Sequence, residues 1–375
     1  MHNTIAVGII GVGRSGWELH AQTLREMADY RVAAICDASA PRLARAAEEC
    51  GALPHAEPQA LIGDPDLDLV VVAVPGSLHA SLAIAALEAG KHVVVEKPMA
   101  STAAEADEML AAARTSGRLL SVFHNRRWDP DYRMLRLLVE RGEFGELLTV
   151  DSRIISFGPE WPSYGVPEFN PRWRTQAAYG GGFLADWGPH LVDQVLDLVD
   201  EWPTRVSAEL RSHLWCTEVD DSFHIRLSFA SGLLVTVEGS NNARIPLPRW
   251  FVVGADATLI SGSGFGHWTE MSLCRGMGEA VVDLAPEVLP PVSAPGEVKD
   301  SNNPTWLFYE DLAAALREGR GPAISAEHSR DVVAILDAAR RSSETGQTVT
   351  PDSPLASYGA CKAGERQAIA RDGKE

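Results

Sequence analysis

Over the first third of the chain, short apolar runs alternate with amphipathic stretches. Ile5 to Ile10, Val32 to Cys36, Leu69 to Val74, His92 to Val95 and Leu119 to Phe123 read as strands, because they are β-branched and apolar on both faces. Ser15 to Met27, Pro41 to Glu49, Ser77 to Ala89 and Thr102 to Thr115 carry helical spacing between them. Strands that are continuously apolar belong to a parallel sheet covered on both sides. Thr102 and Glu105 add a capping box at the head of the last of these helices. Beyond Asn125 the rhythm changes. Helices are expected at Asp131 to Arg141 and Gly182 to Val199. Strands are expected at Leu147 to Ile155, Val206 to Leu214, Ser222 to Phe229, Leu233 to Glu238 and Trp250 to Val253. Helices at Thr305 to Glu318 and Ala326 to Ser343 close the pattern, after a proline-rich stretch from Val281 to Asn303 that reads as loop. Runs of adjacent strands imply an antiparallel sheet. The expected architecture is an α/β doubly wound parallel sheet over residues 1–124, followed by an α+β domain over 125–375 with a large, mostly antiparallel sheet.

Composition narrows the class. The 375 residues contain 33 Lys and Arg against 51 Asp and Glu, a net charge of −18. A surface of that sign repels nucleic acid and anionic lipid, since binding by counterion release needs a basic stripe. The five cysteines are scattered, with no pair at metal or redox spacing, so no metal site is expected. The first residues lack a basic leader pattern, and no apolar run reaches the roughly 18 residues of a membrane helix. The expectation is a cytoplasmic enzyme.

The first strand runs directly into Gly11-Val12-Gly13-Arg14-Ser15-Gly16 and then a helix. Gly11 suits the tight turn, Gly13 lets backbone approach a pyrophosphate, and Gly16 lets helix pack on strand, with helix N–H groups facing phosphate. Asp37 ends the second strand, at the distance where a carboxylate accepts hydrogen bonds from the adenosine ribose. This is the Rossmann pattern. NAD is expected over NADP, because a 2′-phosphate would meet Asp37 as a like charge; Arg42 is the neighbouring feature that favours NADP. The competing reading is a glycine turn without nucleotide, with Asp37 capping a helix.

Ligands of open α/β sheets bind at the carboxyl edge of the strands, and Glu96-Lys97-Pro98 follows such a strand. Lys97 there could hydrogen-bond a substrate hydroxyl or its developing alkoxide; the competing reading is a surface pair with Glu96. Asp186 and His190 are four residues apart, on one helix face if Gly188 and Pro189 do not break the helix. An imidazole beside a carboxylate is a general acid/base. It is equally the pattern of a structural histidine with a satisfied hydrogen bond.

Taken together, the glycine turn, Pro75-Gly-Ser-Leu-His79, Gly90-Lys-His-Val-Val-Val-Glu96-Lys97-Pro98 and Gly181-Gly-Phe-Leu-Ala-Asp186-Trp-Gly-Pro-His190 resemble the Gfo/Idh/MocA oxidoreductases. The resemblance implies a two-domain dehydrogenase. In it Lys97, Asp186 and His190 are catalytic, with Asp186 the partner carboxylate of His190. Gly11, Gly13, Arg14, Ser15, Gly16, Asp37, Pro75, His79, Glu96, Lys97 and Asn125 would then meet the cofactor. His124-Asn125-Arg126-Arg127-Trp128-Asp129 and Trp173-Arg174 are similar to the scyllo-inositol dehydrogenase-like subgroup. That similarity adds Arg127, Trp173 and Arg174 to Lys97, Asp186 and His190 on the substrate side; packing between domains is the alternative for these arginines and Trp173.

The loop from Phe157 to Arg174 contains Trp161, Tyr164 and Trp173, and aromatic faces pack on sugar rings. A small-molecule sugar, inositol or related polyol is the expected substrate, oxidised at a ring hydroxyl or formed from its ketone. Elimination or glycoside cleavage through a transient keto sugar is the nearest alternative, and a non-catalytic sugar or dinucleotide sensor a further one. A homodimer or homotetramer is expected. Lys97, Arg126, Arg127, Arg172 and Arg174 suggest a locally electropositive pocket, which keeps sugar acids among the substrates to be tried.

Overall fold

The computed structural model describes residues 4–159, 171–264, 269–275, 282–284 and 303–358. Trp161 and Tyr164 of the aromatic loop, and all but Val282–Leu284 and Asn303 of the proline-rich stretch, lie outside them.

The first sheet contains β1 (Ile5–Ile10), β2 (Tyr30–Cys36), β3 (Leu53–His55), β4 (Leu69–Val72), β5 (His92–Val95) and β6 (Leu120–Val122). They run in the order β3-β2-β1-β4-β5-β6, and every pairing is parallel. The strand order reverses between β1 and β4, which opens a crevice at the carboxyl edge. The helices between them are α1 (Gln22–Glu26), α2 (Ala40–Cys50), α3 (Pro58–Ile62), α4 (His79–Glu88) and α5 (Ala103–Ser116). The turn after β1 enters a π-helical segment, Ser15–Ala21, before α1 begins. Thr102 caps α5 by accepting from Glu105 N, while the Glu105 side chain reaches back to Ser101 N at 2.9 Å. Ser77 does not cap α4, which starts at His79 after a 3₁₀ turn.

Among the described residues the second sheet has eight strands. They are β7 (Leu147–Ile155), β8 (Arg205–Arg211), β9 (Ser222–Ser228), β10 (Leu234–Ser240), β11 (Trp250–Gly254), β12 (Ala257–Ser261), β13 (Met271–Arg275) and β14 (Val282–Leu284). Their order is β14-β13-β12-β11-β7-β10-β9-β8, and only β7 and β10 pair in parallel. Two helices accompany it, α6 (Pro130–Glu140) and α7 (Phe183–Val199). Strand burial alternates, as in Ser222–Ser228 and Leu234–Ser240, so one face is core.

Two further helices tie the halves together. On α8 (Pro304–Glu318), Phe308, Tyr309 and Leu312 join the core formed by Ile5, Val7, Ile9 and Val94 of the first sheet. On α9 (Ala326–Thr345), Val333 and Ala334 face the first sheet's core, while Val332, Ile335 and Leu336 face the second. Helix α7 runs unbroken through Gly188 and Pro189. Gly188 has a packing reason: a Cβ there would lie 3.0 Å from Leu336 Cδ2 of α9.

Candidate active site

The glycine turn is held from below. Gly11 has φ +91° and backs onto the Ala73 carbonyl, and a Cβ on Gly16 would overlap the Gly11 carbonyl oxygen. Asp37 is buried at the end of β2, and its two oxygens are both engaged. Oδ2 accepts from Val12 N at 2.8 Å, whereas Oδ1 accepts from Ser39 N at 2.7 Å and Arg42 Nη2 at 2.8 Å. The carboxylate therefore clamps the turn to β2 while Arg42 offsets its charge. A cleft of about 820 Å³ opens here, lined by Gly11, Gly13, Arg14, Ser15, Asp37 and Arg42 at one end. These residues fit a dinucleotide: a narrow glycine cradle for pyrophosphate and an acidic residue at the ribose position.

The cleft continues past Pro75, His79, Glu96 and Lys97 to Trp173, Arg174 and Asp186. His79 ties its wall together, with Nδ1 2.7 Å from the Pro98 carbonyl and Nε2 2.9 Å from that of Val74. Lys97 projects from the end of β5 to the first turn of α7. Its Nζ donates to Asp186 Oδ1 at 2.6 Å and to the Asp186 carbonyl at 2.8 Å. An ammonium has three donors, so one remains for a ligand. Arg174 Nε lies 3.9 Å from the other Asp186 oxygen and the guanidinium stacks 4.4 Å from the Trp173 ring.

His190 lies one turn further along α7, buried, and is not part of the cleft wall. Its Nδ1 has no hydrogen-bond partner among the described residues. Burial, then the positive charges of Lys97 and Arg126, push its pKa well below the usual histidine value, against the pull of Asp186. At neutral pH the imidazole is uncharged. The i,i+4 spacing does put Asp186 and His190 on one helix, yet the carboxylate turns to Lys97, so its influence on His190 is one of charge.

Arg127 and Asn125 are not brought to the cleft. Arg127 makes a fork to Asp193 (2.7 and 3.0 Å) and a further pair with Asp197 at 2.7 Å; His328 Nε2 completes the cluster, 3.0 Å from Asp193 Oδ1. Asn125 is buried in a 3₁₀ turn after β6. Of the five cations expected around the pocket, Lys97 and Arg174 line it, Arg126 pairs with Asp129 at 3.4 Å, Arg127 is in the buried cluster, and the Arg172 side chain lies outside the described residues. Sequence reasoning missed Gln176 and Tyr179, which line the cleft just before the three glycines. It also missed His20 and Tyr309, whose positions 76 and 213 residues from Glu96 gave no local signal. No group of three or more metal-ligating side chains occurs among the described residues, nor does any helix long and apolar enough to cross a membrane.

A parallel sheet with a glycine cradle at its crevice, and a lysine and a carboxylate meeting at its far end, define a dinucleotide-dependent oxidoreductase. Comparison with known proteins agrees. Residues 5–124 match the NAD-binding Rossmann fold of the Gfo/Idh/MocA oxidoreductase family, and residues 132–260 match that family's C-terminal domain. The chain is 30% identical over 355 residues, 92% of its length and 96% of the other's, to scyllo-inositol 2-dehydrogenase (NADP(+)) IolW of Bacillus subtilis. It is 39% identical over 183 residues to inositol 2-dehydrogenase 1 of Saccharopolyspora erythraea, covering 45% of this chain and 54% of that one. Among solved structures, levoglucosan dehydrogenase in complex with NADH and levoglucosan superposes with a TM-score of 0.77 at 25% identity, over 94% of this chain and all of that one. The chain belongs to the Gfo/Idh/MocA family and is an NAD(P)-dependent oxidoreductase.

Proposed function

We propose that the enzyme transfers hydride between the nicotinamide and a ring hydroxyl, or the corresponding ketone, of a sugar, inositol or related polyol. The observation that carries this reading is the Lys97–Asp186 pair at the far end of the cleft, 2.6 Å apart, with the uncharged His190 next on α7. A nicotinamide dinucleotide held by the Gly11–Gly13 cradle and Asp37 would supply the hydride acceptor. Everything else falls to the chain. The third Lys97 donor holds the reacting oxygen and stabilises the negative charge that develops on it. Asp186 fixes the ammonium in direction, and His190 takes the hydroxyl proton. Trp173 and Arg174 border the substrate, and their stacked faces suit the apolar side of a sugar ring. The names of the inositol and levoglucosan dehydrogenases among the relatives support the substrate class. On this reading the chain divides near residue 125 into a cofactor half and a substrate half that also builds a homo-oligomer.

The test is a panel of inositols, aldoses, sugar acids, glycosides and their keto forms, followed at the nicotinamide absorbance with each cofactor. His190→Ala should lower kcat on any active substrate by about 10²- to 10⁴-fold. An unchanged rate removes His190 from the mechanism. Consumption of a glycoside with no rise in free NADH replaces the dehydrogenase reading with elimination through a keto sugar.

A further inference from the structure

Behind the wall of the cleft lies a second set of polar groups, joined to it through Glu96, which also lines the cleft. His20, on the π-helical segment, is fully buried between Glu96 and Tyr309 of α8. Its Nε2 is 3.1 Å from Glu96 Oε1, and its Nδ1 is 2.6 Å from the Tyr309 hydroxyl. The other Glu96 oxygen accepts from the Lys97 backbone N–H at 3.1 Å. Tyr309 is fixed in turn: the Tyr30 hydroxyl donates to its carbonyl at 2.8 Å, and its ring packs edge-on to Tyr30 and His20.

The hydrogen-bond inventory fixes the Glu96 end of this chain. Burial alone would raise the Glu96 pKa, but above all the hydrogen bond from His20 holds it down at about 2, so the carboxylate is ionised and only accepts. His20 Nε2 must then carry the hydrogen. Burial pushes the Tyr309 phenol well above its usual value, so its hydroxyl keeps its proton and pairs with His20 Nδ1. His20 and Tyr309 are fully buried, so water cannot readily replace either as a lost partner.

We propose that His20 and Tyr309 are positioning residues for Lys97: through the Tyr309–His20–Glu96 chain, α8 holds the end of β5 and so aims the lysine at the reacting oxygen. This rests on the role given to Lys97 above. Neither residue touches substrate. Tyr309 belongs to a helix that follows the second sheet in sequence and packs into the first sheet's core, so the alignment of Lys97 depends on that return being in place.

Two measurements test it, one of which needs no turnover. In the first, Tyr309→Phe and His20→Leu should each lower kcat about tenfold or more on whichever substrate is active, with the Kd for NADH within about twofold. His20→Gln, whose amide N–H can still donate to Glu96, should recover much of the rate. Combined with Glu96→Gln, His20→Leu should add little, because both act along one path. In the second, hydrogen exchange at the Lys97 amide should accelerate about tenfold or more in Tyr309→Phe relative to a distant amide on β4. Independent, additive losses in the double variant, or an unchanged Lys97 amide, would overturn the proposal. If the wild type turns over nothing on the panel, the dehydrogenase reading fails, while the exchange experiment still decides whether the chain of hydrogen bonds holds Lys97.

Discussion

Cofactor choice turns on one contact, Arg42 on Asp37, and the structure lets its consequence be worked out. With the guanidinium 2.8 Å from Asp37 Oδ1, the pair presents little net charge to whatever sits at the ribose. Arg42→Gln takes the guanidinium away from Asp37, which stays held by the Val12 and Ser39 amides. A guanidinium and a phosphate about 4 Å apart attract by about 4 kcal/mol per unit charge at an effective dielectric of about 20. The Arg42 side chain is 18% exposed, and salt and solvent reduce that figure to about 1.4–2.8 kcal/mol, or about 10- to 100-fold in affinity. NADP should therefore weaken by that factor in Arg42→Gln, while NAD, which has no 2′-phosphate, changes by less than about threefold. Fluorescence titration with NADPH and NADH at about 0.05 and 0.5 M salt reads both numbers, and the NADPH difference should shrink at high salt. Equal weakening of the two cofactors would refute the reasoning and leave Arg42 as a clamp on Asp37 alone.

Three predictions concern stability. Asp193→Asn breaks the buried cluster with Arg127 and His328 and should cost about 3–5 kcal/mol in a denaturant titration. Burial works to raise the Asp193 pKa, but the Arg127 charge holds it below the ordinary carboxylate value; the stabilisation it gives is present at neutral pH and lost as pH falls through the acid range, and this acid limb should shrink in the variant. Asp129 has the opposite sign. Burial, helped by Asp131 and opposed by Arg126, pushes it up to about 7, so its contribution is present below about pH 4 and lost as pH rises toward 7; Asp129→Asn should flatten the stability profile across that window. Gly188→Ala forces a methyl against Leu184 and Leu336 and should lower stability by about 1–3 kcal/mol, with Leu336→Ala in the same chain relieving part of it.

The first sheet was legible because its strands are apolar on both faces and its helices are not; β1, β2, β4, β5 and β6 fall where the pattern placed them. β3 and α3 were not, since Leu53-Pro-His is a three-residue edge strand with no hydrophobic period and α3 is a single turn and a half. In the second sheet, the sequence pattern did not mark β12 to β14, three short strands of three to five residues. Local motifs located the glycine cradle, Lys97 and α7. They could not show that Asp186 would meet Lys97 89 residues away, nor that Arg127 would be drawn to Asp193 and His328, because spacing along a chain reports only neighbours on the same element.

What the structure adds is a reason for the return of α8. A Rossmann sheet must cover both faces with helices, and the crossovers here leave the face bearing Ile5, Val7, Ile9 and Val94 to be completed by residues beyond the second sheet, Phe308, Tyr309 and Leu312. The same helix face that supplies this apolar cover supplies the Tyr309 hydroxyl, buried 2.6 Å from His20 Nδ1. Burial of Tyr309 is favourable only if that donor is matched, and His20 is matched only if Glu96 accepts from it. Packing of the last third of the chain and the placement of Lys97 are thus satisfied by one arrangement, so a variant that loosens α8 without touching the cleft should be felt in kcat before it is felt in cofactor affinity.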